Sequence, residues 1–462
     1  MKIVFITPAS TLCRNFFYRL GNKIYGHSNS ITGPLVLGHI LKNAGHTVEV
    51  YEELFRDVDL KVCDSADVVC LYTMTSTAPR AYQLADTLRK RGKRIIIGGI
   101  HASALPEEAL LHADIVITGE GESVIRDAVE GNKSGQIIKA PPLRNLDDIP
   151  FPDYSILKTP CEVANVLTTR GCPFHCSFCT TSRMFNPYRE RSVDNVIAEL
   201  RYYKKLGFRY MNFEDDNFTA DKERTKKILR IMIRENLTFK ETFFFGRTDM
   251  ADDEELLTLL EKAHLTRVLV GIESLNQKAL DTINKHQKIS DIEKCSEALQ
   301  RHHIRLIASL VLGIDTDGPA DIQRSVDFCK KINAYQLQPA ILTPYPGTPV
   351  YEQYAKEGRI INADWQFYNM IVVNFKPKRM NPWMLQKCFF RELRKFYTLV
   401  SSFKITKIFG FEYGVRRFLF GLLIKFALAG VFLLTKINLG NPLYRLSHMQ
   451  AADWHKQLCT NK

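Results

Sequence analysis

The sequence predicts an α/β protein in three parts: an N-terminal doubly wound parallel sheet, a partial (β/α)6 TIM-type barrel, and a helical C-terminal region. Three observations predict it. Short apolar runs alternate with helical patterns over most of residues 1–350, as in parallel strands joined by crossover helices. A Pro-rich stretch with no apolar period, residues 136–160, interrupts the alternation and reads as a linker. After residue 350 the alternation gives way to a helical, basic pattern. The expected domains are therefore 1–135, 161–350 and 351–462, and a chain of this length suggests about three.

Composition narrows the class. Apolar residues make up 45% and charged residues 24%, ordinary for a globular chain. The apolar run at Lys2–Thr7 is too short for a signal peptide and reads as a first strand. Eleven cysteines without disulfide-scaffold density suit a reduced, cytoplasmic chain with thiols free for metal. The net charge of +13 lies entirely in residues 376–462, which carry 16 Lys and Arg against 3 Asp and Glu. A nucleic-acid enzyme would carry basic residues around its catalytic core, so no nucleic-acid partner is expected.

In the N-terminal part, Lys2–Thr7, Thr47–Tyr51, Asp67–Leu71, Arg94–Ile97 and Asp114–Ile117 read as strands. Pro34–Ala44, Ala78–Arg91 and Glu120–Glu130 read as helices between and after them. Such sheets bind ligands at the carboxyl ends of their strands. There the sequence places Thr73, Thr75 and Ser76, then Gly98, Gly99 and His101, then Gly119, Glu120, Gly121 and Glu122. Glycines let backbone approach a flat or phosphate-bearing ligand, and hydroxyls supply hydrogen bonds. Ordinary strand-to-helix turns would use the same residues.

The wording "GGIHAS…PEE…ADIVITGEGE" after "ADVVCLYTMTSTAPRAYQLA" resembles the cobalamin-binding domain of cobalamin-dependent radical S-adenosylmethionine (SAM) enzymes, over most of residues 1–135. The resemblance implies that the strand-end residues just named contact cobalamin. The Asp-x-His-x-x-Gly signature that places a His on cobalt is absent, and His27 and His39 do not fit it. His101 is therefore expected in the pocket near the corrin or its tail, not as a ligand.

After a strand at Val163–Thr169 comes Arg170-Gly171-Cys172-Pro173-Phe174-His175-Cys176-Ser177-Phe178-Cys179. Three thiolates at this spacing suit a [4Fe–4S] cube and leave one iron open to a further ligand. A structural zinc site would need a fourth ligand and a second ligand pair, and none follows. Phe178, just before the last Cys, matches the radical SAM loop. The resemblance implies that Cys172, Cys176 and Cys179 hold the cluster and that its open iron chelates SAM. The other eight cysteines, at 13, 63, 70, 161, 295, 329, 388 and 459, lack ligand spacing.

The barrel continues with strands at Arg209–Phe213, Thr242–Gly246, Arg267–Gly271, Arg305–Leu312 and Tyr335–Leu342. Helices are expected near 193–206, 221–235, 252–264, 290–303 and 320–332. Active groups of such barrels lie at strand carboxyl ends. Those ends carry Glu214, Asp215 and Asp216, then Arg247, then Glu273 and Ser274, then Gly313. The resemblance implies that the acids meet the SAM amino group, Arg247 its carboxylate, and Glu273 and Ser274 its ribose and carboxylate. Gly313 would lie against adenine. Thr343-Pro344-Tyr345-Pro346-Gly347-Thr348-Pro349 matches the barrel exit of the same enzymes.

The tail reads as helices at Tyr351–Glu357, Met384–Leu399 and beyond Phe409. Phe418–Leu434 is apolar apart from Lys425, but a spanning helix needs roughly 20 such residues. With Arg416, Arg417, Lys425 and Lys436 around it, the segment suits either a helix lying in a membrane interface or a cap over the barrel mouth.

The family resemblance implies reductive cleavage of SAM to a 5′-deoxyadenosyl radical, with an electron donor such as flavodoxin or ferredoxin. It implies methyl transfer through cobalamin to an unactivated carbon of a hydrophobic lipid, isoprenoid or tetrapyrrole-like substrate. The alternatives are a non-methylating radical SAM cyclase or rearrangement enzyme, and a methylthiotransferase. The last would need three further cysteine ligands and a C-terminal RNA-binding barrel.

Overall fold

A computed structural model describes residues 1–15, 18–20, 27–131, 134–434 and 442–448. Cys459 and Lys436 lie outside the described residues. The chain divides into two compact units. The first comprises Met1–Asn165, Thr169–Gly171 and Arg183–Glu199; the second comprises Val166–Thr168, Cys172–Ser182 and Leu200–Lys462.

The first unit is built on β1 (Lys2–Thr7), β2 (Thr47–Glu52), β3 (Val68–Tyr72), β4 (Arg94–Gly98), β5 (Ile115–Gly119) and β6 (Gln136–Ala140). All pair in parallel, in the order β2-β1-β3-β4-β5-β6. Successive side chains leave a strand on opposite faces, so each strand feeds two cores. Val4, Ile6, Val69, Leu71, Ile95 and Ile97 pack on one side with α2 (Ala78–Arg89). Ile3, Phe5, Val68, Cys70, Ile96 and Ile115 pack on the other with α1 (Thr32–Asn43) and α5 (Ile125–Glu130). Two short helices, α3 (Ile100–Ala104) and α4 (Pro106–Leu110), join β4 to β5.

The strand order reverses between β1 and β3, so the ligand crevice of such a sheet opens at the carboxyl ends of those strands. Two expectations are corrected. Residues 136–140, expected in the linker, form the sixth strand, and helix α5 begins at Ile125 rather than Glu120. Glu120 to Ser123 instead make a strand end and a tight turn.

The second sheet is also six-stranded and parallel, in sequential order from β7 (Val163–Val166) through β10 (Tyr210–Phe213), β11 (Glu241–Gly246), β12 (Arg267–Glu273) and β13 (Arg305–Leu312) to β14 (Gln336–Ile341). That is the order of a barrel left open between its first and last strands. Crossover helices α6 (Val193–Lys205), α7 (Lys222–Arg234), α8 (Glu254–Lys262), α10 (Ile289–Arg301) and α11 (Pro319–Lys331) connect the strands. The sequence did not signal α9 (Gln277–Thr282), which follows β12. Thr169–Arg170 (β8) and Arg189–Glu190 (β9) form a small antiparallel pair around the cysteine segment.

The C-terminal region is helical: α12 (Pro349–Lys356), α13 (Pro382–Phe396), α14 (Leu399–Phe409), α15 (Phe411–Leu434) and α16 (Pro442–Ser447). Helices α14 and α15 approach closely at Gly414, where a Cβ would lie 1.8 Å from Thr406 Oγ1. Arg417, one of the basic residues around the apolar segment, is buried. Its guanidinium lies 4.5 Å from the Phe396 ring centroid and 4.9 Å from that of Tyr397, and it donates to the Tyr335 carbonyl. Aromatic faces and a carbonyl offset the loss of water around the cation. No helix among the described residues is long and apolar enough to cross a membrane.

Candidate functional site

In the second unit the cysteine loop is held from outside by the turn after α9. Ser177 N donates to Ile283 O at 3.1 Å, and Asn284 Nδ2 donates to His175 O at 3.0 Å. Within the loop, Cys179 N donates to Cys176 O at 3.2 Å. Asn284 and His286 both take left-handed backbone conformations, with φ of 56° and 49°. That double reversal presents the backbone of 283–286 to the loop. Burial pushes the Cys172 and Cys176 thiols up, and Cys179 adds to the effect on both. Lys285 and Arg247 oppose it at Cys176.

Arg247 belongs to the same frame. Its guanidinium carbon lies 3.7 Å from the Phe174 ring centroid, and Nη2 donates to Lys285 O at 2.8 Å and His286 O at 3.4 Å. The residue expected at the SAM carboxylate thus braces the cysteine loop. The three acids after β10 divide. Asp215 is fully buried and accepts from Thr168 Oγ1 at 3.0 Å, while Arg224 donates to the same hydroxyl at 3.1 Å. Glu214 is half-buried, its carboxyl raised by burial, and Asp216 is exposed. Glu214 and Asp216 are less buried than Asp215, and Glu214 accepts from Asn212 Nδ2 at 3.1 Å.

At the end of β12, Glu273 is buried with φ of 62°, and its Oε1 lies 2.7 Å from Lys285 Nζ. Ser274 Oγ donates to Asp317 Oδ2 at 3.0 Å and accepts from Asn276 N at 3.1 Å. Its hydroxyl therefore shapes the strand end. Gly313 has φ of 94°, and a Cβ there would lie 2.6 Å from Leu385 Cδ2. Leu385 and Phe375 side chains of the C-terminal region pack against Gly313. Phe178 is half-buried in the loop. Tyr345 Oη donates to Tyr368 O at 3.3 Å.

In the first unit the strand ends expected to hold cobalamin come together, but several polar groups are used internally. Thr73 Oγ1 donates to Gly98 O at 2.9 Å and accepts from Ala102 N at 3.2 Å. Gly99 at φ 108° packs on Thr73, where a Cβ would lie 2.5 Å from Thr73 O. Gly119 at φ 80° packs on Ala140 in the same way, its Cβ position 2.5 Å from Ala140 O.

His101, expected in the pocket, points into the first unit's interior. Its side chain is fully buried near Tyr82, with Nε2 3.2 Å from Glu108 Oε1. Glu120 and Glu122 are bound to arginines: Arg170 Nη1 donates to Glu120 at 2.9 Å, Arg170 Nη2 to Glu122, and Arg189 Nη1 to Glu120 at 3.0 Å. Thr75 is buried, and Ser76, Gly98 and Gly121 are half-buried.

Residues 32–129 match the B12 binding domain, and residues 166–329 match the Radical SAM superfamily. The chain belongs to the cobalamin-binding radical SAM enzymes. This radical SAM enzyme is 28% identical over 376 residues to bacteriochlorophyllide d C-8(2)-methyltransferase of Chlorobaculum tepidum, covering 76% of this chain and 82% of that one. It is 25% identical over 403 residues to the anaerobic magnesium-protoporphyrin IX monomethyl ester cyclase of Cereibacter sphaeroides, covering 77% and 64%. Its fold is similar to that of the radical SAM methyltransferase TsrM of Kitasatospora setae, solved with tryptophan and aza-SAM bound. The TM-score is 0.61 at 16% identity, covering 77% of this chain and 76% of that one.

The cofactors of this radical SAM enzyme are a [4Fe–4S] cluster, SAM and cobalamin. The residue types present suit them by their chemistry, although among the described residues no three metal-ligating side chains converge on one point. Three thiols, none in a disulfide, lie on one braced loop with two cations acting on Cys176. Gly98, Gly99, Gly119 and Gly121 put no side chain at the first unit's strand ends, and at Gly99 and Gly119 this lets neighbouring backbone approach closely. Sequence reasoning missed Asn284, Lys285, Asp317 and Arg189. Arg170 was visible only as a neighbour of Gly171-Cys172, and Lys285 carried no local signal.

Proposed function

We propose that this radical SAM enzyme is a cobalamin-dependent C-methyltransferase acting on an unactivated carbon of a hydrophobic substrate of tetrapyrrole, isoprenoid or lipid type. The observation that carries the reading is the joint presence of the two domains in a chain aligning with 82% of a bacteriochlorophyllide methyltransferase. When bound, the cluster, SAM and cobalamin supply the reductive radical chemistry and the methyl carrier. In this reading Cys172, Cys176 and Cys179 ligate the cluster. Glu214 and Asp216 accept hydrogen bonds from the SAM amino group. Glu273, with Oε1 held by Lys285, offers its other oxygen to ribose hydroxyls. Thr75, Ser76 and the four glycines floor the cobalamin site. Electrons come from a flavodoxin- or ferredoxin-type donor in a reducing cytoplasm.

The experiment is anaerobic reconstitution with hydroxocobalamin, followed by SAM, reductant and a bacteriochlorophyllide. The methylase reading expects 5′-deoxyadenosine and S-adenosylhomocysteine together, and none of the former in Cys176→Ala. A substrate-dependent reaction giving 5′-deoxyadenosine alone would replace it with a cyclase or rearrangement enzyme. Absence of a cobalamin spectrum would remove the methyl carrier and with it the reading.

A finer element concerns the C-terminal helices. Val400, Phe403, Phe411 and Phe426 are 62–77% exposed. Lys404, Lys407 and Arg416 are exposed beside them. Apolar residues with a basic skirt suit the surface of an anionic bilayer, whereas a second copy would set basic face against basic face. Sedimentation with phosphatidylglycerol vesicles, but not with phosphatidylcholine vesicles, is the expected result. Phe411→Ser/Phe426→Ser should abolish it. Equal behaviour with both vesicles, or a salt-resistant dimer, would overturn it.

A further inference from the structure

Strands β8 and β9 frame the cysteine segment: the chain leaves β8 at Arg170, passes through Cys172, Cys176 and Cys179, and returns at Arg189. Their register sets Arg170 directly opposite Arg189. Like charges facing each other across an antiparallel pair oppose its formation. Thr169 opposite Glu190 is the other pair in register, so little else in the ladder offsets this repulsion. Yet both guanidinium groups are largely buried, with side chains 15% and 10% exposed.

Two carboxylates resolve the conflict, and both come from the turn after β5. Glu120, 2% exposed, sits between the arginines and accepts from each. Its Oε2 also accepts from Leu143 N at 2.9 Å, and Arg189 Nη1 donates to Leu143 O at 2.6 Å. Glu122 accepts from Arg170. Two acids and two bases are thus neutralised inside one network. At the loop's entrance Gly171, with φ of 83°, lets the chain turn where a Cβ would lie 2.3 Å from Phe185 O.

We propose that Glu120 and Glu122 are positioning residues for the iron–sulfur loop: they neutralise Arg170 and Arg189, let β8 and β9 pair, and thereby close the segment that carries the three cysteines. The turn that by its place in the sheet would touch cobalamin instead holds the cluster loop shut. A buried pair that loses one partner leaves an uncompensated charge, which is why the latch is sensitive to a single atom change. The proposal rests on the assignment of the cluster to Cys172, Cys176 and Cys179.

The test uses the full chain, anaerobically reconstituted with iron and sulfide and loaded with hydroxocobalamin. Cobalamin stoichiometry and the rate of iron loss to a chelator are read on the same samples. E120Q is expected to keep its cobalamin and to release iron roughly tenfold faster or more. E122Q, which breaks only the Arg170 arm, should move the rate the same way by less. E120Q/R189Q should release iron more slowly than E120Q, because Arg170 then no longer faces a second arginine. Rescue of this kind is not expected from general damage.

Loss of cobalamin with iron release unchanged would make Glu120 a cobalamin contact and overturn the proposal. So would a double variant no better than E120Q. Should E120Q fail to fold, E122Q and the double variant decide alone: unchanged iron release in E122Q overturns the latch. Cys176→Ala separates the two layers, since retention of a full cluster there would defeat the ligand assignment rather than the latch.

Discussion

Lys285 Nζ lies 2.7 Å from Glu273 Oε1, and both groups pack over Gly271, where a Cβ would sit 2.2 Å from the carboxylate and 2.4 Å from the ammonium. Glu273 is held in a left-handed conformation at the end of β12, and this pair is what its carboxylate gains there. The same turn that carries Lys285 carries the backbone contacts to the cysteine loop.

Lys285→Met should therefore leave a buried carboxylate unpaired and lower stability by about 3–5 kcal/mol. Glu273→Gln/Lys285→Met, which removes both charges, should recover part of that loss in urea unfolding. Gly271→Ala should weaken SAM binding by calorimetry, because the added methyl displaces the pair. Full SAM affinity in Gly271→Ala would show that the pair does not shape the SAM site.

Asn284 can be dissected by two substitutions. Asn284→Gly keeps the left-handed backbone and removes the tether to His175 O, whereas Asn284→Ala removes both. The reduced cluster's electron paramagnetic resonance spectrum should change in both variants, and the melting temperature should fall further in Asn284→Ala. An unchanged spectrum in Asn284→Gly would exclude the tether as a determinant of cluster environment.

Gly313 is expected to tolerate no side chain. Alanine there meets a positive φ and Leu385 Cδ2 at 2.6 Å. Strain and overpacking together should cost about 1–3 kcal/mol in urea unfolding.

Glu52 links stability to pH. Burial pushes its carboxyl from 4.5 up to about 7, against hydrogen bonds from Ser30 Oγ at 2.7 Å and Ile31 N at 3.0 Å. The folded state holds this proton to a higher pH than the unfolded state. Its contribution is complete below the unfolded value of 4.5 and is lost as pH rises through about 7. Glu52→Gln keeps an acceptor and removes the titration. Its melting temperature should match wild type near pH 5 and exceed it near pH 8. A gap that does not widen with pH would rule out Glu52 as the source.

Much of the architecture was legible because it is written in local periodicity. β1 and β13 run over the residues expected of them, and the other nine predicted strands lie within a few residues of expectation. β6 escaped because Gln136–Ala140 is a short strand beside a Pro-rich stretch and pairs only with β5. Helix α9 escaped because six residues do not establish a period.

The site was legible in part. Residue type and order along the chain placed Cys172, Cys176, Cys179, Glu214, Asp216 and Glu273 at strand ends. What each polar group binds was not legible, because the partners lie far away in sequence. Arg170 and Arg189 come to Glu120 from 50 and 69 residues on. Arg247 reaches the turn at Lys285, and His101 turns inward to Glu108.

The sequence by itself determined two parallel sheets in order, a three-cysteine loop after the first barrel strand, and a basic tail. Those properties depend on residue spacing, and spacing is visible in one dimension. Only the tertiary structure decided that Glu120 neutralises two opposed arginines, that Lys285 holds Glu273, and that Arg417 is buried among aromatic rings. A buried charge must find its partner wherever the fold brings one, and that choice is made in three dimensions.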